Sequence, residues 1–129
     1  MISDGRIRPR YVIRDGAAGI SCPVIASVNG SDYVIVVTEP TPSGLADMER
    51  VLEIVDQFGI PYGIVINKHD ANPVLTERIQ NEYRGLVLTK IPYDRKVVEA
   101  AVNRTPLTRL HPEFKGYIRP VIEKITSLR

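Results

Sequence analysis

The apolar positions of this chain fall into alternating blocks of two kinds. Tyr33 to Thr38 (YVIVVT), Tyr62 to Ile66 (YGIVI) and Leu86 to Ile91 (LVLTKI) are short, nearly continuous runs rich in β-branched residues. Runs without polar alternation suit strands covered on both faces, as in a parallel sheet. Between them, Leu45, Met48, Val51, Leu52, Val55 and Phe58 recur at three- and four-residue spacing, the mark of a helix with one face on a sheet. Gly59 and Pro61 end that helix, and Ser43 is placed to cap its start. A more polar helix is expected from about Val74 to Tyr83, and another from about Asp94 to Asn103. Thr105 to Pro112 reads as a loop. Phe114, Tyr117, Ile118, Val121, Ile122, Ile125 and Leu128 then repeat at helical spacing, with Pro120 kinking the helix or marking its first turn.

Upstream, Tyr11 to Ile13 reads as a further strand and Pro23 to Val28 as a short helix with proline in its first turn. Strand and helix alternating over short links predict a doubly wound α/β fold: a parallel sheet of about four strands between helices, in three layers. In such a sheet the carboxyl ends of the strands share one rim, so Asp15, Thr38, Asn67 and Pro92 are expected along it.

At 129 residues the chain fits a single domain, 1–129, with 1–9 as a flexible arm. A net charge of +2 does not by itself point to a nucleic-acid or membrane partner, although Arg6, Arg8, Arg10 and Arg14 form a basic alternation. Tests for DNA binding would start there. No run is long and apolar enough for a transmembrane span, and the polar start MISDGRIRPR is not a signal peptide. A single cysteine, Cys22, fits a reducing cytoplasm and reads as buried and structural. Neither an iron–sulfur cluster nor zinc is expected, because no cysteine cluster is present and His69 and His111 lack ligand spacing.

The candidate chemistry sits where strands end. Asp15 follows the first apolar run, and Gly16, Ala17, Ala18 and Gly19 would let a backbone approach an anion near a helix start. An acid there could lie beside a phosphate or its Mg²⁺, while Asp-Gly after a strand is also an ordinary turn. Asn67 can donate and accept, which suits the N6 and N7 edge of adenine, and it is equally common in strand-end turns. Asn67-Lys68-His69-Asp70 also fits the NKxD box of GTPases, in which the Asp accepts from guanine N1 and N2.

Several stretches in order resemble one family. DGAAGISCPVIAS, SDYVIVVTEPTPSGLAD (31–47), Ile60 to Asp70 and IPYDR (91–95) resemble segments of the MinD/ParA-like P-loop ATPases, in particular the branch with an inserted ferredoxin domain. The resemblance implies a nucleotide-binding domain of P-loop NTPase type, using ATP with Mg²⁺. It implies that Asp15 holds Mg²⁺ through water and is the catalytic acid, and that Gly16 and Gly19 lie by the phosphates. Asn67 and Asp70 would lie by the base, with Pro92 and Tyr93 lining its pocket. It further implies that the strand carrying the P-loop would lie between Tyr11 to Arg14 and Tyr33 to Thr38. The phosphate-gripping motif itself, G-x-x-x-x-G-K-[ST] or a GKGG variant, does not occur in these residues. The chain therefore looks like the C-terminal half of such an ATPase, without turnover of its own. It would need a P-loop-bearing chain or a second copy as partner, or else be a non-catalytic interaction module.

Overall fold

The computed structural model describes residues 9–16 and 22–128, with 22–24 described by backbone alone. The expectations for the arm 1–8, for Gly19 and for burial of the Cys22 side chain lie outside these residues. Among the described residues the sheet has three parallel strands, β1 (Val34–Thr38), β2 (Tyr62–Asn67) and β3 (Val87–Ile91), in the order β1-β2-β3. Thr38 pairs with Ile66 and Asn67 with Ile91, so the three carboxyl ends are nearly level. All three strands coincide with the apolar runs.

The helices are α1 (Cys22–Val28), α2 (Pro42–Gln57), α3 (Pro73–Glu82), α4 (Arg95–Val102), the short α5 (Leu107–Leu110) and α6 (Lys115–Thr126). α2 and α3 cover one face of the sheet. Leu45, Met48 and Leu52 of α2 and Ile79 of α3 close on Val36, Ile64 and Ile66, of which Ile64, Ile66 and Ile79 are wholly buried. α6 packs on β3, with Lys124 and Leu128 near Leu88 and Tyr33. A Cβ at Gly63 would lie 2.5 Å from the Tyr33 hydroxyl and 2.6 Å from Leu88, so β2 needs glycine on that face. Helices thus flank both faces, as the alternation of runs implies.

The boundaries correct the sequence reading in three places. The cap of α2 is Thr41, not Ser43: its hydroxyl accepts from the Gly44 N–H at 2.9 Å, with Pro42 in the first helical turn. Pro42 supplies a preset φ and lacks the N–H that would be orphaned there, which shifts the start two residues upstream. The expected loop after Thr105 contains α5, and Pro120 lies inside α6 without ending it.

The third correction is Tyr11 to Ile13, which pair with no strand. Tyr11, Val12 and Ile13 are 41%, 59% and 84% exposed, and the fourth strand is absent from the described sheet. A three-residue apolar run holds an extended backbone only against a neighbour, and the outer edge of β1 makes no pairing with it. Val37 of β1 is 63% exposed.

Candidate functional site: a strand-end rim built by two loops

The rim residues arise from parallel strands ending side by side. After β1 the chain turns through Glu39 and the buried Pro40 into α2. The Thr38 hydroxyl donates to the Gly44 carbonyl at 3.1 Å, and the Thr41 N–H donates to the Glu39 carbonyl at 2.8 Å. A side chain at Gly44 would put its Cβ 2.5 Å from the Glu39 oxygen, so this close turn requires glycine. Glu39 is therefore held on a stiff support.

β2 ends in Asn67, and Lys68 follows in the left-handed region with φ 53° and ψ 43°. The Lys68 N–H donates to Oδ1 of Asn67 at 3.1 Å. Only an oxygen can accept there, so the amide is oriented with Nδ2 as its remaining donor. His69, Asp70 and Ala71 form a single 3₁₀ turn, whose His69 carbonyl accepts from the Thr76 hydroxyl at 2.7 Å. Asn72 then caps α3 by accepting from the Leu75 N–H at 3.1 Å.

β3 ends at Ile91, followed by Pro92, the half-exposed Tyr93, and Asp94, whose carboxylate caps α4 through the Lys96 N–H at 2.9 Å. The two loops are joined: the Tyr93 N–H donates to Oδ1 of Asp70 at 2.8 Å. This bond holds the Asp70 carboxyl below its ordinary range, ahead of a smaller contribution from His69. Asn67, Asp70, Pro92 and Tyr93 thus meet as one constellation.

Asp15 and Gly16 belong to a different loop. The Arg14 guanidinium donates to the Asn29 carbonyl at 2.9 Å, just beyond the end of α1, and a Cβ at Gly16 would lie 3.9 Å from that of Ser27. The described part of this loop runs beside the carboxyl end of α1, whereas an anion would favour the amino end. Asp15 is exposed, and no hydrogen bond or ion pair links it to the Asn67–Tyr93 loops among the described residues. No group of three or more metal-ligating side chains occurs among the described residues either.

Sequence reasoning missed one pair at the rim. The Lys68 ammonium and the Glu39 carboxylate lie 3.0 Å apart, joining the ends of β2 and β1. Glu39 alone reads as a solvated loop acid, and 28 residues of chain lie between the two partners. Only the parallel register brings them together. A polar hollow beside α3 and β3, lined by Thr76, Glu77, Arg84 and Lys90, touches the constellation through His69 and Asp70.

A level row of parallel strand ends, helices on both faces and polar loops gathered at the rim define the doubly wound class of α/β folds. Within it, the chain is MinD/ParA-like. The crystal structure of the cell division ATPase MinD from Pyrococcus furiosus superposes with a TM-score of 0.70 at 25% identity, covering 89% of this chain and 51% of that one. An uncharacterized protein of Methanocaldococcus jannaschii is 38% identical over 109 residues, 84% of this chain and 37% of its own length. An uncharacterized ATP-binding protein from the same organism is 28% identical over 103 residues, 78% of this chain and 40% of its own length. The chain thus spans well under half the length of these curated relatives. No protein-family model matches it. Among the described residues no helix is long and apolar enough to cross a membrane.

Proposed function

We propose that the chain is the base-reading part of a nucleotide-binding domain of MinD/ParA type, taking an adenine nucleotide. The observation that carries this reading is the convergence of Asn67, Asp70, Pro92 and Tyr93 where β2 and β3 end, with Nδ2 of Asn67 left as a donor. A purine N7 accepts from such a donor, and Pro92 and the half-exposed Tyr93 offer apolar surface to a ring. The name of the ATP-binding relative and the likeness to MinD support an adenine nucleotide. One oxygen of Asp70 is engaged by the Tyr93 N–H, which disfavours the paired acceptance that guanine N1 and N2 require. GTP is therefore the weaker reading.

Among the described residues no cluster of metal-ligating side chains is present, so Mg²⁺ would be held by Asp15 only together with nucleotide phosphates and waters, as Mg²⁺ usually is. In our reading Asp15, Gly16 and Gly19 reach the phosphates only in a completed fold, and no catalytic step is assigned to the isolated chain. The outer edge of β1, unpaired among the described residues, supports a further strand there, from a P-loop-bearing chain or more of the same polypeptide. Direct pairing of residues 11–14 with β1 would have favoured a closed, non-catalytic interaction module, and it does not occur.

Calorimetric titration with ATP, ADP and GTP in Mg²⁺, repeated on Asn67→Ala and Asp15→Ala, tests the proposal. Binding of adenine nucleotides, weakened about tenfold by Asn67→Ala, is expected. An absence of heat with every nucleotide would overturn it and leave the interaction module.

A further inference from the structure

The helix α4 has little apolar burial to hold it. Ala100 is its one buried residue, while Val97, Val98 and Val102 are exposed. A helix of eight residues is marginal without packing, so polar contacts weigh heavily in how firmly it is seated. Two such contacts run to the 3₁₀ turn Pro112–Phe114, which the buried Phe114 anchors. The Lys96 ammonium of α4 donates to the Glu113 carboxylate at 2.9 Å. Beside it, the ring of His111, the residue before the turn, lies between two acids. Its Nε2 is 3.3 Å from Oε2 of Glu99 on α4, and its Nδ1 is 3.7 Å from Oε1 of Glu113. Of the other charged groups on the neighbouring elements, Asp94 caps α4, and Arg109 of α5 and Lys115 of α6 make no ion pair among the described residues.

A neutral imidazole has one N–H, so it donates to one of these acids and turns a lone pair toward the other. The imidazolium has two and suits both, with a charge-assisted hydrogen bond to Glu99. We propose that His111 is a proton-operated latch that seats α4 on the Pro112–Phe114 turn. Protonation tightens the latch and loss of the proton loosens it, with the Lys96–Glu113 bond as its permanent half. That half stays charged throughout: Glu113 holds the Lys96 ammonium above its ordinary range, and Lys96 is the main cause that holds the Glu113 carboxyl below its own. Histidine is the side chain whose charge ordinarily changes between about pH 5 and 8. The added contact belongs to the protonated ring, so it is present on the acid side of that window and lost as pH rises through it. The inference does not depend on the nucleotide reading of the rim.

The test is hydrogen exchange of the amides from Glu99 to Asn103 in the full chain, each rate divided by its intrinsic value, at about pH 5.5 and about pH 8. Protection is expected to be about twofold to fivefold greater at the lower pH, the range an exposed pair supplies. Glu99→Gln and His111→Gln are each expected to abolish the difference, and His69→Gln, at the other histidine, to keep it. Glu99 is 53% exposed, so Glu99→Gln leaves the fold intact and decides the matter by itself. Equal protection at the two pH values in the parent chain would overturn the inference, as would a difference that persists in Glu99→Gln or vanishes in His69→Gln.

Discussion

The backbone N–H of Tyr93 donates to the carboxylate of Asp70 at 2.8 Å, which ties the turn after β2 to the loop after β3. The bond favours the ionised carboxyl and holds its pKa below the ordinary value of about 4. A carboxyl whose folded pKa is depressed contributes stability that is present above the unfolded value and lost as pH falls through the folded one. Asp70→Ala is therefore expected to lower the urea midpoint at pH 7 and to narrow the gap to wild type at pH 2.5. An equal deficit at both pH values would refute the assignment. Glu113, held low chiefly by its hydrogen bond from Lys96, adds to the same acid limb.

The start of α2 separates two hydroxyls that the sequence does not. Thr41→Ala removes the cap on the Gly44 N–H and should cost about 1 kcal/mol. Ser43→Ala should stay within about 0.5 kcal/mol, the range of ordinary surface changes. Chemical denaturation of the two variants side by side decides between them, and the reverse order would restore Ser43 as the cap.

Gly44→Ala probes the rim from its support. The new methyl would lie 2.5 Å from the Glu39 carbonyl oxygen and 2.9 Å from the Thr41 hydroxyl, one of them backbone. A loss of about 1–3 kcal/mol is expected, the usual range for overpacking, with displaced amide resonances from Thr38 to Leu45. A neutral result would mean that the turn yields freely and cannot brace Glu39.

Pro120 lies five residues into α6, where it withholds an N–H from the Gly116 carbonyl. Pro120→Ala restores that donor, while it also loosens the unfolded chain. A net gain of about 1–2 kcal/mol in thermal or urea unfolding is expected. A loss would show that the ring's packing outweighs the missing hydrogen bond.

The strands β1, β2 and β3 were legible because each is a block of apolar, β-branched residues bounded by glycine, proline or asparagine. Periodicity likewise gave the buried face of α2, since Leu45, Met48, Leu52 and Val55 are all buried. The failure at Tyr11 to Ile13 has a different origin. Those residues have strand propensity, but pairing is a property of two segments, and the neighbour beside β1 is not among them. Arg14 follows the same logic: its guanidinium meets the Asn29 carbonyl, a partner that composition cannot suggest. At the rim, the types Asn67, Asp70 and Tyr93 were readable. The Asp70–Tyr93 bond and the Glu39–Lys68 pair were not, because both depend on strands lying side by side.

All five residues of β1, Val34 to Thr38, are β-branched, and among the described residues only one side of the strand is paired. Such a backbone is already stiffened for zipping onto an identical neighbour, and no charge interrupts the run. Two copies meeting at this margin would seed stacks that grow with concentration. A lysine at the exposed Val37 is therefore expected to slow concentration-dependent association of the purified chain, as read by light scattering.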